Sequence, residues 1–345
     1  MSFLQDFNNA IDNVIFETKN DKYLQNQNFY NFIRDSMEMI CNKVCYYDEN
    51  PNLEIPVIHE DELFETILDF FKSIDIDFYD KTYNILNNKY PNIEAYIYDF
   101  HKIEVPSYIP NYYHVDFSEV ITKVYLPLGY ELTKEKAEEI EHKYGKDFYT
   151  IDDLYSITHE IAHFLDKKTN KITGKITSTA DILAETTPII FENLLTDYLL
   201  KKETFNKNSI INKKNKQNNL FMNHAHLTRL MLLFSEIKKS NGIITKNDIE
   251  HIMKNEKISK TRFNYLIKII PYSDTCVTTG KRYAFSAFYC PIIAEKIRIS
   301  NSSNLLKKYL HEVSENVPFT DILKSFGIDI KKDIKKFKEE DEYIR

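Results

Sequence analysis

The sequence predicts a mainly α-helical fold with a small β element, on three observations. Only 6 glycines and 10 prolines punctuate 345 residues, so few positions call for tight turns. Apolar residues recur at helical spacing through most of the chain, as in Leu227, Leu230, Met231 and Phe234. In one stretch, 120–128, β-branched and aromatic residues dominate, which indicates a strand or two.

Residues 1–130 are predicted to form an N-terminal helical region that ends in a short strand-like segment. Helical spacing over residues 1–105 indicates four or five helices, with breaks near 50–56 and 90–92. The β-rich stretch 120–128 then follows, and we expect any sheet of this protein to lie there.

A second helical region is predicted for residues 131–345. Its first element is a charged helix from Thr133 to Gly145. Asp152 and Asp153 suit the first turn of the helix that follows, because negative side chains are favoured near a helix N-terminus. A further apolar helix is expected over about 178–200.

The rest of the chain is predicted to be helical after one interruption. The stretch 201–219 is rich in Lys and Asn, and we interpret it as an exposed connection. Residues 245–248 match a helix-capping pattern, and Pro318 suits the first turn of a closing helix.

Charge and composition exclude several classes of protein. There are 45 basic and 52 acidic residues, a net charge of −7, and no basic block, so we expect no nucleic-acid partner. The first thirty residues lack a signal-peptide pattern. The sequence contains no run of eighteen uncharged apolar residues, so we expect no membrane span. Four cysteines without CxxC spacing indicate reduced thiols. We therefore expect a cytoplasmic protein, or one exported without a cleavable signal peptide; the oligomeric state stays open.

The stretch 155–166 contains the pattern HExxH, formed by His159, Glu160 and His163. Residues four apart share one face of a helix, so both imidazoles can reach one metal ion, with Glu160 beside them. Zinc lowers the pKa of a bound water to about 7, and a neighbouring carboxylate can take the proton. The alternative is an ordinary helix that carries these residues by chance.

A catalytic zinc needs a third protein ligand, and Glu185 is the leading candidate. It lies 22 residues after His163, in an apolar stretch where an unpartnered carboxylate would be costly to bury. Asp181 and Glu192 are rival ligands or supporting groups, and Asp166 is either a partner of a ligand imidazole or a solvated acid. The HxH pair formed by the histidines at 224 and 226 is interpreted as structural or solvent-facing.

The chain resembles the thimet-oligopeptidase and oligoendopeptidase F family of zinc peptidases, which are of the gluzincin type. Four segments carry the resemblance in the family's order, and together they cover roughly residues 150–330: HEIAH at 159–163, LAETTPIIFENLL at 183–195, YAFSAFYCPIIAEKI at 283–297 and VPFTDILKSFGIDI at 317–330. The 158 residues before the motif are fewer than in that family, so the N-terminal half is truncated.

The resemblance implies a multi-helix zinc-peptidase-like fold around one zinc ion per chain. It implies that Glu185 is the third zinc ligand and that Tyr289 donates a hydrogen bond to the oxyanion of the reaction. Tyr283 is either a second hydrogen-bond donor to the oxyanion or a residue that binds the substrate backbone.

The sequence therefore predicts a zinc metalloendopeptidase that acts on a peptide or protein substrate, with Glu160 as general base. Two alternatives stay open: a non-catalytic interaction protein on a peptidase scaffold, and a bacterial effector protease that acts on a specific host protein. A zinc hydrolase that acts on something other than peptides is a third.

Overall fold

A computed structural model of the chain is mainly helical, as the sequence predicts. It describes residues 3–36, 54–90, 93–99, 122–128, 134–165, 181–256, 258–261, 263–264, 276–300, 302–315 and 317–329. Within these ranges lie twelve α-helices and two separate two-stranded sheets.

The helices and strands are numbered in chain order. They are α1 (Phe3–Asn20), α2 (Gln27–Asn31), β1 (Val57–His59), α3 (Glu60–Ile74), α4 (Ile76–Leu86), β2 (Ile93–Asp99), β3 (Thr122–Leu128), α5 (Lys134–Tyr144), β4 (Phe148–Thr150), α6 (Ile151–Leu165), α7 (Thr186–Lys202), α8 (Lys207–Asn241), α9 (Lys246–Asn255), α10 (Cys276–Ser300), α11 (Ser303–Ser314) and α12 (Phe319–Ser325). A π-helical turn, Phe32–Ser36, follows α2, and a 3-10 turn, Asp181–Leu183, precedes α7.

The chain divides into two compact units. The first unit combines residues 1–47, 216–289 and 323–345, and the second combines 48–215 and 290–322. These units follow contacts in space, and both draw on residues from either side of the boundary expected at residue 130. The division into two regions by sequence texture stays a prediction.

In the first unit, helices pack through the apolar stripe that the sequence predicts for α8. Leu227, Leu230, Met231 and Phe234 are all buried, and the ring of Phe234 meets that of Phe7 edge to face at 5.0 Å. The predicted cap of α9 is also confirmed, because Thr245 and Asp248 form a reciprocal capping box.

The second unit is built around α6. Twelve of its 15 residues are buried, and it contacts α3, α4, α7 and strand β3. Strand β4 runs antiparallel to β1 and leads directly into α6, where Ile151 N donates to Pro56 O at 3.0 Å. Strand β3 runs parallel to β2, in a register that pairs Ile93 with Thr122 and Asp99 with Leu128. The motif helix is therefore held on several sides.

Two predictions about strands need correction. The stretch 120–128 does contain a strand, but its partner β2 lies at Ile93–Asp99, where helix was expected. Parallel pairing joins segments distant in sequence, so the local pattern around β2 could not show its partner. Strands β1 and β4 were not predicted, because three residues each are too few to display an alternation.

The stretch 201–219 was wrongly predicted as an exposed connection, since α8 begins at Lys207 and runs for 35 residues. Ile210 is fully buried and Lys213, three residues later, is 4% exposed. A lysine that occupies a buried position hides the apolar periodicity by which a helix is normally predicted.

Helix α7 begins at Thr186, later than the start predicted near 178; residues 178–180 themselves lie outside the described residues. The first intrahelical bond runs from Ile189 N to Glu185 O at 3.2 Å. Pro188 falls within the first turn, where the missing N–H costs no helical hydrogen bond. No helix in the described part of the chain is long and apolar enough to cross a membrane.

Candidate metal centre

The sequence around the start of α6 sets the direction of the motif helix. Thr150 precedes the helix, and its N–H and hydroxyl both donate to Asp153 Oδ2, at 2.8 and 3.2 Å. A carboxylate at the third helical position that accepts from the residue before the helix is half of a capping box. The acidic pair predicted for this helix start is thus confirmed.

Helix α6 brings His159, Glu160 and His163 together, as their spacing predicts. One ligand atom from each of the three lies within 4.8 Å of the others. The two imidazole rings are 4.9 Å apart between centroids and inclined at 79°. This cluster of two nitrogen ligands and one carboxylate is of the kind that binds a divalent transition metal.

Glu185 reaches the cluster from the residue that precedes α7. Its side chain does not cap α7; instead Oε2 lies 3.3 Å from His159 Nε2. Both side chains are largely buried, with 18% of His159 and 12% of Glu185 exposed. The predicted approach of this carboxylate to the imidazole pair is therefore present, and its role as a ligand stays a prediction.

Glu192 lies on the other side of the same imidazole. Its Oε1 is 2.7 Å from His159 Nδ1, and its side chain is 8% exposed. Of the candidates for a supporting role, this one contacts a motif histidine. Asp181 forms part of the 3-10 turn before α7, and Asp166 lies outside the described residues.

The charges in this cluster shift the pKa of two groups. Burial lowers the pKa of His159, but hydrogen bonds to Glu185 and Glu192 outweigh burial, so the pKa lies well above its usual range. Burial raises the pKa of Glu160 to about 8; the carboxylates of Glu185 and Glu192 add to this and His159 opposes it. These shifts mark a site where negative charge is buried.

The residues of the cluster fit a divalent cation. Glu160 is 8% exposed, and its Oε2 has no hydrogen-bond partner in the described part of the chain. A buried carboxylate oxygen without a partner is costly, and a cation or a cation-bound water would supply one. Together with the carboxylate of Glu185, the two imidazoles would match the ligand set of several catalytic zinc sites, which leaves Glu160 beside the ligands.

The two tyrosines assigned from the resemblance belong to the first unit, whereas the cluster belongs to the second. Tyr289 is fully buried and stacks on Phe32 with centroids 5.5 Å apart. Tyr283 stacks on His224 at 4.9 Å. Their assigned roles in the reaction stay predictions.

One feature near the site was not found from the sequence. Lys213 Nζ lies 2.8 Å from Asp152 Oδ1, and both side chains are buried, at 3% and 7% exposed. The ion pair ties α8 to the first turn of the motif helix. A lysine in a Lys- and Asn-rich stretch carries no sequence signal that separates it from its solvated neighbours.

Comparison with protein-family models, with curated proteins and with solved structures finds no match for this chain. The fold and the cluster define a mainly helical protein with a candidate metal centre between two packed helices. The chemistry of that centre has to be argued from its own residues.

Proposed function

We propose that this protein is a zinc metalloendopeptidase, with one zinc ion per chain held by His159, His163 and Glu185. The observation that carries the proposal is the placement of the Glu185 carboxylate 3.3 Å from the Nε2 atom of a motif histidine. Two imidazoles one helical turn apart and a carboxylate from the adjoining segment form the three-ligand set of catalytic zinc.

Bound zinc would polarise the substrate carbonyl and lower the pKa of a bound water towards 7. Glu160 lies beside the two histidines, where its carboxylate can accept a proton from the attacking water and pass it to the leaving amine. A group with this duty has to hold a proton at neutral pH for part of the cycle.

The substrate in this proposal is a peptide or a protein segment, and no nucleic acid takes part. Tyr289 as oxyanion donor and Tyr283 as a second donor or substrate contact rest on the family resemblance. Short peptides and an intact protein, such as a host target, are both substrates that this proposal covers.

The decisive variant is Glu160→Gln, which we expect to abolish cleavage and to keep about one zinc per chain. Gln cannot take the proton, yet it has nearly the same shape and is not a metal ligand in this proposal. Elemental analysis measures the zinc, and a panel of quenched peptides and intact proteins measures cleavage. Glu139→Gln, at an exposed position of α5, is the matched control and should retain both.

The outcomes separate the alternatives. Cleavage by the Glu160→Gln variant would contradict the mechanism. A wild-type protein that binds zinc through His163 but cleaves nothing in the panel would favour the non-catalytic interaction protein. Purified protein without zinc, and unable to take it up, would contradict the metal centre itself.

A further inference from the structure

The His159 ring has a carboxylate at each of its two nitrogen atoms. Glu185 Oε2 lies 3.3 Å from Nε2, and Glu192 Oε1 lies 2.7 Å from Nδ1. A neutral imidazole carries a single proton, and the nitrogen without it is the one that can bind a metal. The two carboxylates therefore cannot have equivalent roles once a metal is bound.

We infer that Glu192 is a positioning residue, which holds the proton of His159 on Nδ1 and so directs the Nε2 lone pair towards the metal. The inference rests on the proposed zinc centre and assigns a role that the ligand set does not contain. Its basis is geometric: Nε2 faces Glu185, the candidate ligand, so Nδ1 is left to donate to Glu192. Carboxylates that accept from a ligand histidine in this way fix its tautomer and raise its basicity.

The position of Glu192 on α7 suits this role. It lies seven residues after Glu185, about 10 Å further along the chain at helical rise, so the imidazole is reached from both sides by one segment. One turn further, Thr196 Oγ1 donates to Glu192 O at 2.9 Å. The single hydroxyl proton of Thr196 is then used, so Thr196 accepts from Tyr155 OH, also at 2.9 Å.

This contact fixes the register of the two helices. Tyr155 lies one turn before His159 on α6, and both Tyr155 and Thr196 are almost fully buried. This buried contact resists sliding, because separating the helices would leave the Tyr155 hydroxyl without the acceptor that Thr196 provides. The register that the pair sets is the one that brings Glu192 to Nδ1.

The test is zinc affinity, measured with zinc alone by competition against a chromophoric chelator. We expect Glu192→Gln to weaken zinc binding by about 10-fold, since an amide oxygen still accepts from Nδ1 but lacks the charge, and Glu192→Ala by up to about 100-fold. Asp197→Asn, on the same helix and outside the site, should bind zinc like the wild type. Thermal unfolding in the presence of chelator checks that each variant is folded. If Glu192→Ala does not fold, the zinc affinity of Glu192→Gln decides the test.

A second measurement separates positioning from mere packing. The ¹⁵N chemical shifts of His159 in the zinc-loaded protein should show a protonated Nδ1 in the wild type and a mixed or altered state in Glu192→Ala. Equal zinc affinity in wild type, Glu192→Gln and Glu192→Ala would overturn the inference while leaving the zinc centre intact. A loss as complete as that of His163→Ala would also overturn it, because Glu192 would then be a ligand. A wild type that binds no zinc would instead overturn the proposed function.

Discussion

At the scale of single residues, the candidate centre gathers three carboxylates around one largely buried imidazole. Glu160, Glu185 and Glu192 all act on the charge of His159, and two of them contact its ring. Such an arrangement is unfavourable unless positive charge balances it. A protonated His159 supplies part of that charge; in the proposed centre a divalent cation would take the place of the proton on Nε2 and supply more.

His226 gives a pH-dependent prediction away from the metal centre. Burial lowers its pKa to about 4, with Arg229 also lowering it and Glu256 opposing them. As pH falls from 6.5 to 4, the unfolded chain takes up a proton that the folded chain does not, so the free energy of unfolding decreases. We expect His226→Gln to remove this contribution of up to about 1.4 kcal/mol per pH unit.

Urea unfolding of wild type and His226→Gln at pH 7, 6 and 5 measures the difference. The wild type should lose stability relative to the variant as the solution is acidified. His251→Gln, at an exposed position of α9, is the control and should follow the wild type. Parallel pH dependence of the wild type and His226→Gln would refute the prediction.

The residues of the site could be predicted from the sequence to unequal extents. The spacing of His159 and His163 is enough to bring them together on any helix, because helical geometry is local. Glu185 could be proposed from chain reach and the resemblance. The choice of Glu192 over its rivals could not be made, because it depends on where α7 starts and on the register of two packed helices. Those are tertiary properties.

At the scale of elements, a buried ion pair joins the first turn of α6 to α8. Lys213 and Asp152 are both almost inaccessible to solvent, and Lys213 Nζ also lies 5.5 Å from the ring of Tyr155. A buried pair adds little net stability compared with apolar residues, but loss of one partner strands the other charge. The pair thus makes the first turn of the motif helix sensitive to a residue outside it.

We expect Lys213→Met to lower the free energy of unfolding by about 3–5 kcal/mol, because it removes the cation that pairs with the buried carboxylate of Asp152. The double variant Lys213→Met with Asp152→Asn should recover part of that loss. Chemical unfolding monitored by circular dichroism measures both. Lys207→Met, at the exposed start of α8, should change stability by less than about 0.5 kcal/mol. If the double variant lost as much free energy of unfolding as the two single variants lose together, or more, the ion pair would not be the cause.

Elements were predictable where the pattern is local and long. Helices α6 and α9 start where their acidic or capping residues indicate, since capping involves neighbours in sequence. The strands of three residues and the first turns of α8 were missed for opposite reasons. The strands are too short to show a pattern, and α8 carries polar residues on a face that other elements cover.

At the scale of the whole molecule, the two units interleave along the chain. The second unit, which holds the candidate metal centre, is assembled from residues 48–215 and 290–322. Composition and periodicity predict the helical class, because each helix carries its own local pattern and the patterns of all the helices agree. They cannot predict an interleaved arrangement, which depends on pairings between segments more than one hundred residues apart.

Metal binding should therefore stabilise the folded chain, because the proposed ligands come from two segments that are brought together only by folding. The ligand His163 lies on α6 and Glu185 adjoins α7, and unfolding separates them. A ligand that binds only the folded state at 100 times its dissociation constant adds about 2.7 kcal/mol to the free energy of unfolding. For a chain of this size we expect the thermal midpoint to rise by roughly 4 °C.

Calorimetry of protein treated with chelator, with and without added zinc, measures this shift. The Glu160→Gln variant should show the full shift, because it keeps the proposed ligands, whereas His163→Ala should show little. This contrast ties stabilisation to the metal centre and not to general zinc binding at the surface. An equal shift in His163→Ala would mean that zinc acts elsewhere, and an absent shift in the wild type would mean that α6 and α7 share no metal.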